Sequence, residues 1–318
     1  MKKNISFLKK PILIFLMGPT CSGKTKLAID LSRHFPMEII SVDSGLIYKE
    51  INIGTAKPTI KELSQVPHHL INIKDPNEYY SAGEFRRDAL KKIKEILEVG
   101  KVPVLVGGTM LYFNVLNKGI AVLPSANNEV RNFLLKKTKR FGYKYLHNFL
   151  KLVDPDLSFR LHPNDIQRIL RGLEVFLLTG RKISELQKST ISNFPYEVIQ
   201  FSIFFSKKKE LKQRIKLRLN HMMELGFENE VRNLFLRKNL NINSPAIRRI
   251  GYYQMWSYIE GKITYKDMIE KIMFATYQLA KHQITWLKKW KNLHWIDNFD
   301  QNLSINKILD VFHIKNFF

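Results

Sequence analysis

At 318 residues, 45% hydrophobic and 12% aromatic, the chain can bury a sizeable core in one large or two smaller domains, which excludes a disordered polymer. Its 52 basic and 28 acidic residues leave a formal charge of +24, which points to a polyanionic partner, although drift toward Lys and Asn, as in KNLNINS, raises the same number. A single cysteine, Cys21, excludes an intrachain disulfide or a multi-cysteine zinc site, and the early apolar run Ile12–Met17 is too short for a bilayer span or a signal peptide, so a soluble, cytoplasmic setting is expected.

In chain order, Ile12–Met17 is a continuous apolar run ending at a glycine loop, and so reads as a buried parallel strand. Lys24–His34 carries Leu27, Ala28 and Leu31 at helical spacing and is closed by Pro36. Glu38–Val42 is a second strand with Asp43 at its carboxyl end. Ala82–Val99 is an amphipathic helix with Phe85, Ala89, Ile93, Ile96 and Leu97 on one face, stopped by Gly100. Val102–Val106 is another buried strand, followed by Gly107, Gly108 and Thr109. The alternation predicts an α/β fold, a P-loop NTPase-like parallel sheet core in which ligands gather at the carboxyl ends of the strands. The Gly18 loop, Asp43 and Gly107–Thr109 all fall at such ends, which predicts one shared site.

From Pro124 to about Asn193 the sequence is helical, basic and aromatic, and Tyr196–Phe205 then returns as a strand. Residues 124–196 are therefore expected to be an inserted all-helical domain, with 1–123 and 197–318 forming the core. Helices are expected over Lys208–Leu225, around Pro245–Glu260 and over Tyr265–Trp290.

Gly18, Pro19, Thr20, Cys21, Ser22, Gly23, Lys24 and Thr25 spell GPTCSGKT, a G-x-x-x-x-G-K-[ST] loop between a predicted strand and helix. Its amides and the helix N-terminus suit phosphate, Lys24 adds a point charge, and the Thr25 hydroxyl can face Mg²⁺ or a phosphate oxygen. Asp43 reads either as a helix cap or as a metal-associated or general-base carboxylate. VPVLVGGT lacks the acidic residue that often follows a strand in P-loop NTPases, which weakens hydrolysis as the reaction. Arg168 and Arg171 at i, i+3, and Arg214 and Arg218 at i, i+4, suit forked phosphate contacts better than the many lysines do. Arg248 and Arg249 precede GYYQMW, whose aromatic residues could stack on bases or fill the core. The nine histidines show no metal spacing, and one of the adjacent His68–His69 pair is expected to hydrogen-bond a loop. A P-loop kinase would use the same cradle without accounting for a basic insertion, and a non-catalytic RNA binder would not need Lys24, Thr25 and Asp43 intact.

GPTCSGKT, DSGLIY, IGTAKPT, HHLINI, DPNEYYSAGEF, GGTMLY, QRILRGLEVF with TGR, and QLAKHQITW follow one another in an order that resembles the tRNA isopentenyl transferase family over nearly the full length. The resemblance implies transfer of a dimethylallyl group from dimethylallyl diphosphate to N6 of the adenosine 3′ of the anticodon, in tRNAs reading U-starting codons, with release of pyrophosphate. It implies Mg²⁺, a monomer, and an insertion that grips the anticodon stem-loop. Asp43 is similar in position to the family's proposed base, while Lys24, Thr25 and Arg218 would neutralise the pyrophosphate. By the same resemblance Asp43, Ser44, Gly45, Leu46, Gln167, Arg168, Ile169, Leu170, Arg171, Arg248, Arg249, Ile250, Gly251, Tyr252 and Tyr253 line the tRNA path, with Thr109 and Arg131 beside the target base. Cys21 departs from the usual Ala or Ser, and Tyr253, Tyr277 and His282 stand where Arg is frequent, which either weakens RNA affinity or shifts it toward the lysines.

Overall fold

The computed structural model describes residues 10–188, 194–204, 208–297 and 300–317. Six parallel strands form one sheet: β1 (Ile12–Met17), β2 (Met37–Val42), β3 (His68–His69), β4 (Val102–Gly107), β5 (Glu197–Phe204) and β6 (His294–Asp297), ordered β3-β2-β4-β1-β5-β6. The register sets Ile39, Val104, Ile14 and Ile199 in a row across four strands, and all four lie in one buried cluster with Leu27 and Leu31. Continuous apolar strands are what a sheet covered on both faces requires.

Helices α1 (Lys24–Leu31), α2 (Ile60–Leu63), α3 (Ala82–Glu98) and α4 (Met110–Lys118) follow β1 to β4. Ser81 caps α3 through a reciprocal pair of bonds with Glu84, so this start is fixed locally. The chain divides into two compact units, Asn117–Phe194 forming the second and the segments on either side the first. The expected boundary at 124 thus lies inside the second unit.

That unit contains α5 (Asn128–Phe141), α6 (Tyr143–Val153), α7 (Pro155–Arg160), α8 (Ile166–Thr179) and α9 (Ile183–Lys188). Leu134, Leu146, Leu150, Ile169 and Leu173 make its core. Gly172 lets α8 approach its neighbours, because a Cβ there would sit 2.6 Å from Leu157 and 3.0 Å from Leu150.

The chain continues through α10 (Lys208–Glu224), α11 (Phe227–Phe235), α12 (Tyr252–Ile259), α13 (Tyr265–Lys288) and α14 (Gln301–Phe317). The expected helix around Pro245–Glu260 is only half a helix: residues up to Gly251, at φ 93°, turn, and α12 starts at Tyr252. Phe205, expected in β5, lies outside the described residues. Among the described residues, no helix is long and apolar enough to cross a membrane.

Candidate active site

β1 ends at Met17, and the next six residues wrap into a loop that α1 closes. Cys21 (φ 63°) and Gly23 (φ 85°) both take left-handed backbone, the conformation that turns successive amides to one side. Gly23 caps α1 without a side-chain bond, so the first-turn amides are not consumed by a cap. Lys24 folds back over the loop, its Nζ donating to Pro19 O at 2.6 Å and to Ser22 Oγ at 3.3 Å. Enclosure pushes its ammonium down to about 8; Asp43 works against that shift and the Arg218 guanidinium adds to it. Lys24, Asp43 and Arg218 therefore share one electrostatic neighbourhood, although 19 and 194 residues separate the last two from the first in sequence.

Asp43 follows β2, and its Oδ1 accepts from Gly45 N at 2.8 Å. It caps a turn, not the helix that was the bland alternative, and only one carboxylate oxygen is committed to it. Gly107, at the end of β4, is required by space: a Cβ there would strike the Val42 carbonyl. This close approach brings Thr109 N to Val42 O (3.2 Å) and Thr109 Oγ1 to Ser44 N (3.1 Å). Arg249 Nη1 completes the cluster by donating to Ser44 Oγ at 2.7 Å, and its guanidinium lies 5.7 Å from the Tyr48 ring. Its buried Nε has no partner among the described residues.

Gln283, on α13, links two of these loops. Its Oε1 accepts from Thr20 N and its Nε2 donates to Gly108 O, each at 2.8 Å. Sequence reading singled out the QLAKHQITW run but assigned no role to this glutamine; a polar residue amid the apolar positions of a long helix was the available signal. Tyr277, one of the positions where Arg is frequent, packs with Cys21, Leu211 and Ile215, and Lys212 and Lys281 stand 5.3 and 5.9 Å from its ring. Cations thus surround the tyrosine, while His282 is exposed.

The remaining expected residues fall into two groups. Gln167 and Arg168 are exposed on α8, Arg168 pairing with Asp165 at 2.7 Å, and Leu170 is half-buried. Ile169 is fully buried in the core of the second unit, so its side chain packs instead of facing a ligand. Arg131 and Arg171 converge on Glu174, a fully buried carboxylate, at 2.8 and 2.7 Å. Burial works to raise the Glu174 carboxyl, but the two guanidinium groups and the Asn127 amide outweigh it and hold it below the usual range. In the first unit Leu46 and Ile250 are half-buried, Arg248 and Tyr253 are exposed, and Gly251 is buried. Tyr252 is fully buried and bonds Glu230 through its hydroxyl (2.5 Å), and Trp256 is also core. Of the two readings of GYYQMW, the core one describes these two rings, which are buried. Arg214 pairs with Glu210 at 3.0 Å. His68 Nδ1 bonds Val66 O at 2.8 Å, a loop contact as expected. Among the described residues no group of three or more His, Cys, Asp and Glu could hold a metal ion.

Known proteins share both sequence and architecture. A family model described as IPP transferase matches residues 46–290. The tRNA dimethylallyltransferase of Buchnera aphidicola subsp. Acyrthosiphon pisum (strain APS) is 48% identical over 312 residues, covering 98% of each chain. The full-length tRNA isopentenylpyrophosphate transferase of Bacillus halodurans superposes with a TM-score of 0.71 at 32% identity, covering 96% of this chain and 97% of that one. A eukaryotic dimethylallyltransferase acting on tRNA gives a TM-score of 0.77 at 28% identity, over 92% of this chain and 75% of that one. With a family model spanning most of its length and a near full-length relative at this identity, the chain belongs to the IPP transferase family.

Proposed function

We propose that the chain transfers a dimethylallyl group from dimethylallyl diphosphate to N6 of the adenosine 3′ of the anticodon in tRNAs reading U-starting codons, releasing pyrophosphate. The observation that carries this reading is that the Lys24 loop follows β1 and Asp43 follows β2 at the carboxyl ends of one parallel sheet, within electrostatic reach of each other and of Arg218: a cationic cradle for a leaving group beside a carboxylate for a proton.

In the transfer, the allylic C1–O bond breaks and C1 bonds N6, and N6 gives up one proton. The Gly18 loop amides, Lys24 and Arg218 take the charge that develops on the departing diphosphate, a stabilisation that grows as the bond lengthens. The N6 lone pair is delocalised into the purine, so removal of its proton as the new bond forms raises the rate by about 10²–10⁴-fold. Asp43 performs that removal with the carboxylate oxygen that Gly45 does not hold. The Thr109–Ser44–Arg249 cluster fixes the turn that aims it. Thr25 and Asp43 offer oxygen donors, which suit Mg²⁺. Thr25 would hold that ion beside the diphosphate, where it supplies further charge neutralisation.

The adenosine must leave its stack to reach this site, at a cost of a few kcal/mol that backbone contacts offset. The insertion grips the anticodon stem-loop with exposed residues such as Gln167 and Arg168, and Arg248 and Tyr253 are the first unit's own exposed candidates for RNA contact. The enzyme acts as a monomer in the cytoplasm. Incubation with unmodified tRNA, Mg²⁺ and labelled dimethylallyl diphosphate should place label in the tRNA. Phosphoryl transfer from ATP without prenylation would establish a kinase instead.

A further inference from the structure

The loop Ile51–Lys57 carries none of the chemistry above, yet it is held from two sides by charged groups. Glu230 on α11 accepts from three successive amides, Asn52 N (2.8 Å), Ile53 N (2.8 Å) and Gly54 N (3.2 Å), and from the Tyr252 hydroxyl. On the other side Lys57 Nζ spends all three protons on Tyr48 O, Asn52 Oδ1 and Asn72 Oδ1. Gly54 fits because a Cβ there would enter the Phe227 and Tyr252 rings. A surface loop with no ligand to serve has no need of a carboxylate with four donors on it.

What the clamp holds in place is Thr55. Its carbonyl accepts from Arg218 Nη2 at 2.9 Å. Its methyl lies so close over Gly45 that a Cβ added there would stand 3.3 Å from it, and 3.3 Å from Asp43 Oδ1. One residue therefore abuts both the arginine assigned to the leaving group and the turn that aims the carboxylate. We propose that Glu230 is a positioning residue: through the amides of residues 52–54 it fixes Thr55, and through Thr55 it sets the Arg218 guanidinium against the diphosphate and the Asp43 turn against the base. The inference rests on the reaction proposed above for the role of Arg218 and Asp43.

Glu230→Gln replaces one acceptor oxygen with an NH₂ that opposes the amide donors, while conserving shape. Binding of inorganic pyrophosphate to the full chain, followed by calorimetry, reads the Arg218 side without requiring turnover. Glu230→Gln should weaken pyrophosphate by about tenfold and lower kcat by more, with tRNA affinity within about twofold. Glu228→Gln, on the same helix and paired with the exposed Arg232, should change none of these. In an Arg218→Ala background, Glu230→Gln should cost no further pyrophosphate affinity, because the group it acts through is gone. A full tenfold loss in that background overturns the inference, as does unchanged pyrophosphate affinity in the single variant. Should Glu230→Gln not fold, Glu230→Asp, which keeps the charge but shortens the reach, is run through the same cycle with the same criteria. Intact coupling in a chain that transfers no label to tRNA would sink the proposed reaction and leave the positioning role standing.

Discussion

Lys24 is the group whose charge the cradle depends on, and the loop that encloses it makes that charge sensitive to pH. Its ammonium is pushed down to about 8 by enclosure, with Asp43 opposing and Arg218 reinforcing the shift. A bound diphosphate needs the cation, so above this pH binding must take up one proton. The protonated fraction of the free protein falls from about 0.9 at about pH 7 to about 0.03 at about pH 9.5, so affinity for a diphosphate should fall by about 30-fold across that interval. A non-transferable diphosphate monoester suits the assay, because its own last proton is lost near pH 6, well below the interval. Lys24→Arg keeps its charge throughout and should show a flat profile, though with weaker binding, because a guanidinium does not fit a lysine's point-charge position. The same shift acts on the fold with opposite sign. A folded-state value below the unfolded 10.5 means the unfolded chain binds more protons between the two, so Lys24 favours folding increasingly as pH rises through that window. If the wild type holds its affinity to about pH 9.5, or if Lys24→Arg loses it in parallel, the enclosed-ammonium account is wrong.

Glu174→Gln leaves two guanidinium groups facing a neutral amide in the core of the second unit, and should destabilise that unit by about 3 kcal/mol in chemical denaturation. The wild-type contribution should be lost as pH falls through the depressed Glu174 value, since the unfolded carboxyl binds its proton first. Arg168→Ala removes an exposed charge and should lower the slope of log affinity for tRNA against log salt by about 1 without changing stability; an unchanged slope makes Arg168 a solvated residue. Gln283→Ala strands the Thr20 amide and the Gly108 carbonyl, and should cost about 2–4 kcal/mol of stability, with a loss of diphosphate affinity larger than that for tRNA.

Much of this arrangement was legible beforehand because it is local. The strands β1, β2 and β4 are short and mostly apolar, and the glycine loop, Asp43 and the Gly108–Thr109 pair each follow one directly. β3 and β6 escaped because two and four residues give no period to read. The start of α12 was misplaced because Gly251 was read as part of a helix, whereas its left-handed backbone ends a turn. The supporting residues were hidden for a different reason. Glu230 and Gln283 act on backbone atoms of distant loops, and backbone carries no sequence signature of its partner. The pairing of Arg131 and Arg171 with Glu174 was hidden because the buried Glu174 that engages both is, in sequence, one acid among the 28.

The account turns on a division of labour between a cradle that holds the leaving group and a carboxylate that takes the N6 proton. Single-turnover transfer by Asp43→Asn, measured beside its affinities for tRNA and for pyrophosphate, separates the two. The expected result is transfer slowed by at least about 10²-fold with both affinities within about twofold of wild type. Transfer at close to the wild-type rate would contradict it.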